Sequence, residues 1–157
     1  MEKLQFSTRI NAPVQTVWST MLDDATYRDW TSAFHEGSYY EGDWNQGSEI
    51  RFLGPDGNGS LGGMLATVEE SRPHEFVSLR YLGQIVEGVN DTTSDEAKSF
   101  AGTHENYTFR QADGMTALDV EIEVDADSDD EFVQMFNDLW PKALDKLKAM
   151  CEREATS

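Results

Sequence analysis

A single cysteine, Cys151, stands in a chain of 157 residues, so no internal disulfide framework is possible and a reducing compartment suits it. Basic residues are scarce: 12 Lys and Arg face 30 Asp and Glu, for a net charge of −18. Such a field repels phosphate backbones and anionic lipid, which argues against nucleic-acid and membrane-surface roles and favours solubility. Four of the basic residues lie between Lys142 and Arg153 and the others are scattered, so no basic patch forms. The opening MEKLQFSTRI has no apolar run of signal-peptide length. No segment approaches the roughly 18 apolar residues of a membrane span. The expectation is a soluble, cytoplasmic, single domain over residues 1–157.

Motifs for several chemistries are missing as well. The three histidines (His35, His74, His104) and one cysteine show no paired ligand spacing, so no metal site and no zinc is assigned. Residues 125–129 open like a calcium loop, but Asp130 and Phe136 stand where Gly and Glu are required. Residues 57–62 spell GxGxxG, yet a strand follows where a dinucleotide site needs a helix, so the run reads as a hairpin loop. There is no phosphate loop and no nucleophile elbow. Cys151 falls in the last turn of a helix, where nothing lowers its pKa, and reads as a packing residue. No cofactor and no catalytic residue is assigned.

Aromatic residues are abundant: eight Phe, five Tyr and four Trp. Residues 3–10 alternate as a strand. Pro13 suits the first position of a short helix over 13–22, and Asp23-Asp24 caps a second short turn carrying Tyr27 and Trp30. Short strands follow through residue 82. Residues 103–110 and 115–125 form a hairpin turning at Asp113-Gly114. Residues 88–101 are polar and break this rhythm, as a lid or mobile flap or as a disordered surface loop.

Residues 129–151 carry Phe132, Phe136, Leu139, Trp140, Ala143, Leu147 and Met150 on one face of a long helix, with Ser128 and Glu131 placed for a capping box. Pro141 is expected to kink or split that helix, separating a core-packing half (144–151) from a half (132–140) over a cavity. The fold class is therefore α+β, an antiparallel sheet curled round one long C-terminal helix.

Trp18, Trp30, Phe52, Tyr81, Tyr107, Phe136 and Trp140 either fill the core or line a ligand pocket with a few polar handles. Glu105 shares a strand face with Tyr107 and Phe109. It either points inward, as a carboxyl of raised pKa that anchors a ligand or acts as acid or base, or pairs at the strand end with Arg80 or Arg51. If a ligand is present, Phe136 and Trp140 touch it and Leu147 does not.

The stretch INAPVQTVWSTMLDDATYRDW resembles the opening of START-like (SRPBCC, polyketide-cyclase-like) domains through Ala12-Pro13, Val17-Trp18, Asp23 and Trp30. GSYYEGDWNQGSEIRF and DLWPKALDKLKAM resemble the branch homologous to the activator of the heat-shock protein 90 ATPase. The resemblance implies a helix-grip fold, with a seven-stranded antiparallel sheet round a long C-terminal helix and two small helices closing one end. It implies binding of a hydrophobic ligand (a lipid or aromatic metabolite) in a cavity between sheet and helix. The alternatives it carries are a co-factor of a chaperone and a cyclase-like enzyme using Glu105 or a tyrosine.

Overall fold

A computed structural model describes residues 2–34, 36–55, 59–124 and 130–155. Strand β1 (Glu2–Ile10) leads into α1 (Val14–Leu22) and α2 (Asp24–Trp30). Pro13 is the N-cap of α1, with extended backbone, rather than its first helical residue. A proline offers no capping side chain, and Gln111 instead accepts the Val14 amide at 2.9 Å. Asp23 precedes α2 but makes no side-chain cap.

The meander continues through β2 (Tyr39–Gly42), β3 (Glu49–Pro55), β4 (Leu61–Arg72), β5 (Phe76–Val86) and β6 (Val89–Asp91). After the short helix α3 (Asp95–Phe100), strands β7 (His104–Ala112) and β8 (Met115–Val124) precede the long helix α4 (Asp130–Ala155).

All pairings are antiparallel, in the order β1-β8-β7-β5-β4-β3-β2, with β6 added alongside β5. The path has the seven strands of a helix-grip sheet, and β6 is an eighth. Two register shifts in the β4–β5 pairing, at Leu65/Ala66 and Val68/Glu70, bend the sheet. Gly54 and Gly62, and Pro55 and Leu61, pair across β3 and β4. At Gly63 a side chain would collide with the Phe52 carbonyl, with a Cβ 1.7 Å from the oxygen.

Alternation decides the faces. On β8, Leu118, Val120, Ile122 and Val124 are buried while the residues between are half-buried. With Ile10, Val17, Met21, Ile50, Val68, Val77 and Leu79 they form the core under α4. From α4 this core receives Trp140, Ala143, Leu144, Leu147, Met150 and Cys151. Burying a Leu-sized side chain contributes about 1.5–3 kcal/mol, so this stripe holds α4 down far more than helix propensity does. Cys151 is fully buried, as a packing residue is.

One expectation needs correction. Helix α4 is not split at Pro141 but runs unbroken through it. Proline removes one amide, and packing on both sides of it keeps the helix axis continuous. The expected capping box at Ser128 lies outside the described residues.

The polar stretch after β5 does not lie over the interior. Its β6 pairs with the end of β5, and α3 packs on β5 with Ala97 fully buried. Ser94 caps α3 by accepting the Ala97 amide at 3.1 Å, and Asp91 binds the Ser94 hydroxyl at 2.6 Å. Leu53, Leu65 and Ile85 are buried too but lie outside the main core, on the sheet face turned away from α4.

Candidate functional site: a buried carboxyl among aromatic rings

Glu105 occupies the middle of the sheet, paired with Leu79 on one side and Ile122 on the other. Alternation along β7 sends it inward with Tyr107 and Phe109, and it is 7% exposed. The Tyr107 hydroxyl donates to Glu105 Oε2. Tyr81 of β5 donates to the same carboxyl.

The alternative reading, in which an arginine neutralises Glu105, is not what is found. Arg80 reaches Glu69 at 3.9 Å, and Arg51 binds Glu41 at 2.6 Å and Asn90 at 2.9 Å. The same alternation that turns Glu105 inward turns Arg80 and its neighbour His104 to the outer face.

A carboxyl held only by phenols in an apolar interior favours its neutral form. Burial raises the Glu105 pKa above the ordinary glutamate value, and the two phenolic hydrogen bonds pull it part of the way back. Burial, then the carboxylate's charge, raises the pKa of Tyr107 and Tyr81. Tyr27 is raised by burial and then by Glu105 and Tyr40. The phenols therefore stay protonated as donors at neutral pH.

Around this group stands a wall of rings. Trp140 of α4 stacks on Phe6 at 6.1 Å, meets Phe34 edge-on at 4.9 Å, and lies 6.1 Å from Trp30 and 6.2 Å from Tyr107. Tyr27 links Trp30 at 5.5 Å, Tyr40 at 4.9 Å and Phe52 at 6.2 Å. Such pairs add about 0.5–1.5 kcal/mol each beyond area burial.

The structure thus brings together Trp30, Phe52, Tyr81, Glu105, Tyr107 and Trp140. Trp18 stands apart, edge-on to Phe109 at 5.1 Å and to His74 at 5.8 Å. Phe136 is partly buried against the core, and Leu147 is fully buried.

Sequence reasoning did not assign Tyr27, Phe34 or Phe6 to the site. Tyr27 precedes Trp30 by three residues, the spacing that shares a helix face, and that was the available signal. For Phe6 and Phe34 no local pattern points to Trp140.

Two buried side-chain donors have no hydrogen-bond partner among the described residues, Trp44 Nε1 and Trp140 Nε1. Concave spaces of about 470 and 440 Å³ lie on the outer face of β1, β7 and β8. Their lining mixes polar and apolar groups, with Arg110 bound to Asp119 and Ser7 to Asp119 at 2.7 Å. Among the described residues no cluster of His, Cys, Asp and Glu is arranged to hold a metal. Nor is any of their helices long and apolar enough to cross a membrane.

Comparison with known proteins gives a consistent relationship. The family model described as "Activator of Hsp90 ATPase homolog 1-like protein" matches residues 11–152. A protein of Mesorhizobium loti superposes with a TM-score of 0.73 at 13% identity, covering 97% of this chain and 98% of the other. The Aha1 dimer from Colwellia psychrerythraea gives 0.73 at 17% identity, covering 97% of each chain. The di-domain ARO/CYC StfQ from the steffimycin biosynthetic pathway gives 0.61 at 18% identity, with 96% of this chain over 45% of that one. At these identities the structures share the fold. No curated protein matches the chain.

Proposed function

This chain belongs to the Activator of Hsp90 ATPase homolog 1-like family, and on that premise we propose that it binds a hydrophobic small molecule between α4 and the sheet. The observation that carries the reading is Glu105. A carboxyl buried without a cation costs stability and contributes nothing to packing that a leucine would not. Placed between two phenols and ringed by Trp30, Trp140, Tyr27 and Phe52, it is a polar anchor in an otherwise apolar interior. The rings fill that interior, so entry needs side chains to part. Phe6, Tyr27, Phe34 and Phe52 are the rings of this wall that are only partly buried.

The test is thermal unfolding with a panel of lipids and planar aromatic compounds. A ligand at a hundred times its Kd stabilises by about 2.7 kcal/mol, raising Tm by about 5–10 °C for a chain of this size. Glu105→Leu removes the anchor and is expected to weaken the response. A panel in which no compound shifts Tm refutes the reading.

The family match also favours a second reading, a co-factor docking on a chaperone. At a net charge of −18 the partner surface has to be basic, and binding has to fade with salt. A pull-down with the bacterial 90-kDa chaperone at low and high salt decides this, and no capture at low salt ends it.

A further inference from the structure

The hydrogen-bonding inventory of the interior is nearly closed. Tyr107 and Tyr81 give their protons to Glu105. Tyr40 gives its proton to the Leu22 carbonyl at 2.5 Å, and Trp30 gives its indole N–H to the Met21 carbonyl at 3.0 Å. Thr116 donates to the Ala12 carbonyl at 2.8 Å and Thr31 to the Tyr27 carbonyl at 2.5 Å. The Trp44 indole, although unbonded by strict geometry, lies toward the Tyr40 hydroxyl. That leaves Trp140, 3% exposed, beside Tyr107, with an N–H that has no hydrogen-bond partner among the described residues.

A buried donor left unmade is costly, and native interiors leave few of them. An indole N–H donates only, so its complement is an acceptor. The carboxyl of Glu105 already takes two protons from the protein, and an anion buried in this apolar interior would find no cation among the groups described there to offset its desolvation. We propose that Trp140 Nε1 selects the ligand, and that the ligand class is a neutral, flat, hydrophobic molecule bearing a carbonyl oxygen, such as an aromatic ketone. This rests on the binding site proposed above and adds which chemistry the site prefers. Phe6, Trp30 and Phe34 supply the flat walls for the rings.

The experiment compares 9-fluorenone with fluorene, which have the same ring frame with and without the carbonyl, and with fluorenone-4-carboxylate. Titrations use the full chain. On the unaltered protein, fluorenone is expected to bind about tenfold tighter than fluorene, the factor one otherwise unmade buried hydrogen bond gives. The carboxylate is expected to bind weakest. In Trp140→Phe, which keeps a ring and loses the N–H, the ketone-to-hydrocarbon affinity ratio falls to about one.

A second measurement needs no variant: the ¹⁵N–¹H resonance of the Trp140 indole shifts downfield with fluorenone and not with fluorene. Equal binding of fluorenone and fluorene, an unmoved indole resonance, or tight binding of the carboxylate overturns the inference and leaves the binding site standing. Absence of binding by all three overturns both.

Discussion

Trp30→Ala is expected to be the most destabilising single substitution at this site, by about 4–6 kcal/mol. Trp30 is 2% exposed and touches Tyr27, Phe34 and Trp140. Truncating a buried tryptophan costs about 3–5 kcal/mol in transfer and cavity terms. The loss also strands the Met21 carbonyl at the end of α1, which accepts the indole N–H at 3.0 Å, adding about 1 kcal/mol or more. A domain of this size is typically stable by about 5–15 kcal/mol, so the variant sits at the margin of folding. Trp18→Ala is the control, because Trp18 is only partly buried and makes edge contacts alone. Urea denaturation gives both values. If Trp30→Ala costs no more than Trp18→Ala, with unchanged m, the description of the interior is wrong.

The second large effect belongs to Glu105. Glu105→Leu leaves the Tyr107 and Tyr81 hydroxyls without an acceptor, about 1–3 kcal/mol for each that stays buried, offset in part by the better solvation of leucine in an apolar interior. Glu105→Gln keeps the shape and removes the titration. Burial raises the folded-state pKa of Glu105 above its ordinary value of 4.5. The folded protein therefore holds that proton more tightly than the unfolded chain. The stability Glu105 contributes is complete below the ordinary value and is lost as pH rises through the folded-state value.

Wild type minus Glu105→Gln isolates this site from the other carboxylates, and the difference should fall steadily from about pH 4 towards neutrality. A difference that is flat, or that rises with pH, refutes a raised pKa. Asp91 supplies the opposite sign. Hydrogen bonds from Ser94 and Gln84, then from the Ser94 amide, hold its pKa well below the usual carboxylate range, so its contribution is lost as pH falls.

Much of this arrangement can be read from the chain before any coordinates. The alternation of residues 115–124 assigns both faces of β8. The three-and-four spacing of Trp140, Ala143, Leu144 and Leu147 assigns the buried stripe of α4. The two-residue step from Glu105 to Tyr107 puts acceptor and donor on one face of one strand.

What local periodicity does not contain is which strand lies next to which. Tyr81 meets Glu105 only because β5 pairs with β7, and Tyr27 reaches Phe52 only because α2 folds over the sheet. The role of residues 88–101 is hidden for another reason. Its buried contribution to the fold includes Ala97, and a lone alanine between charged residues gives no amphipathic signal.

The unbroken passage of α4 through Pro141 has a mechanical consequence. Proline leaves the Asn137 carbonyl without its intrahelical amide, so the helix is one bond short between two segments that differ in what fastens them. Beyond it, Ala143, Leu144, Leu147, Met150 and Cys151 are fastened to the core. Before it, Val133 and Phe136 are only partly covered, and of the side chains described there Trp140 alone is driven in deeply. Local opening proceeds where few apolar contacts must be broken, and separation of residues 133–140 breaks fewer than separation of the whole helix. The proline lowers that cost further by having removed a bond in advance. It makes α4 behave as an anchored beam with a yielding point, and the yielding point lies beside Trp140, whose indole proton has no partner among the described residues.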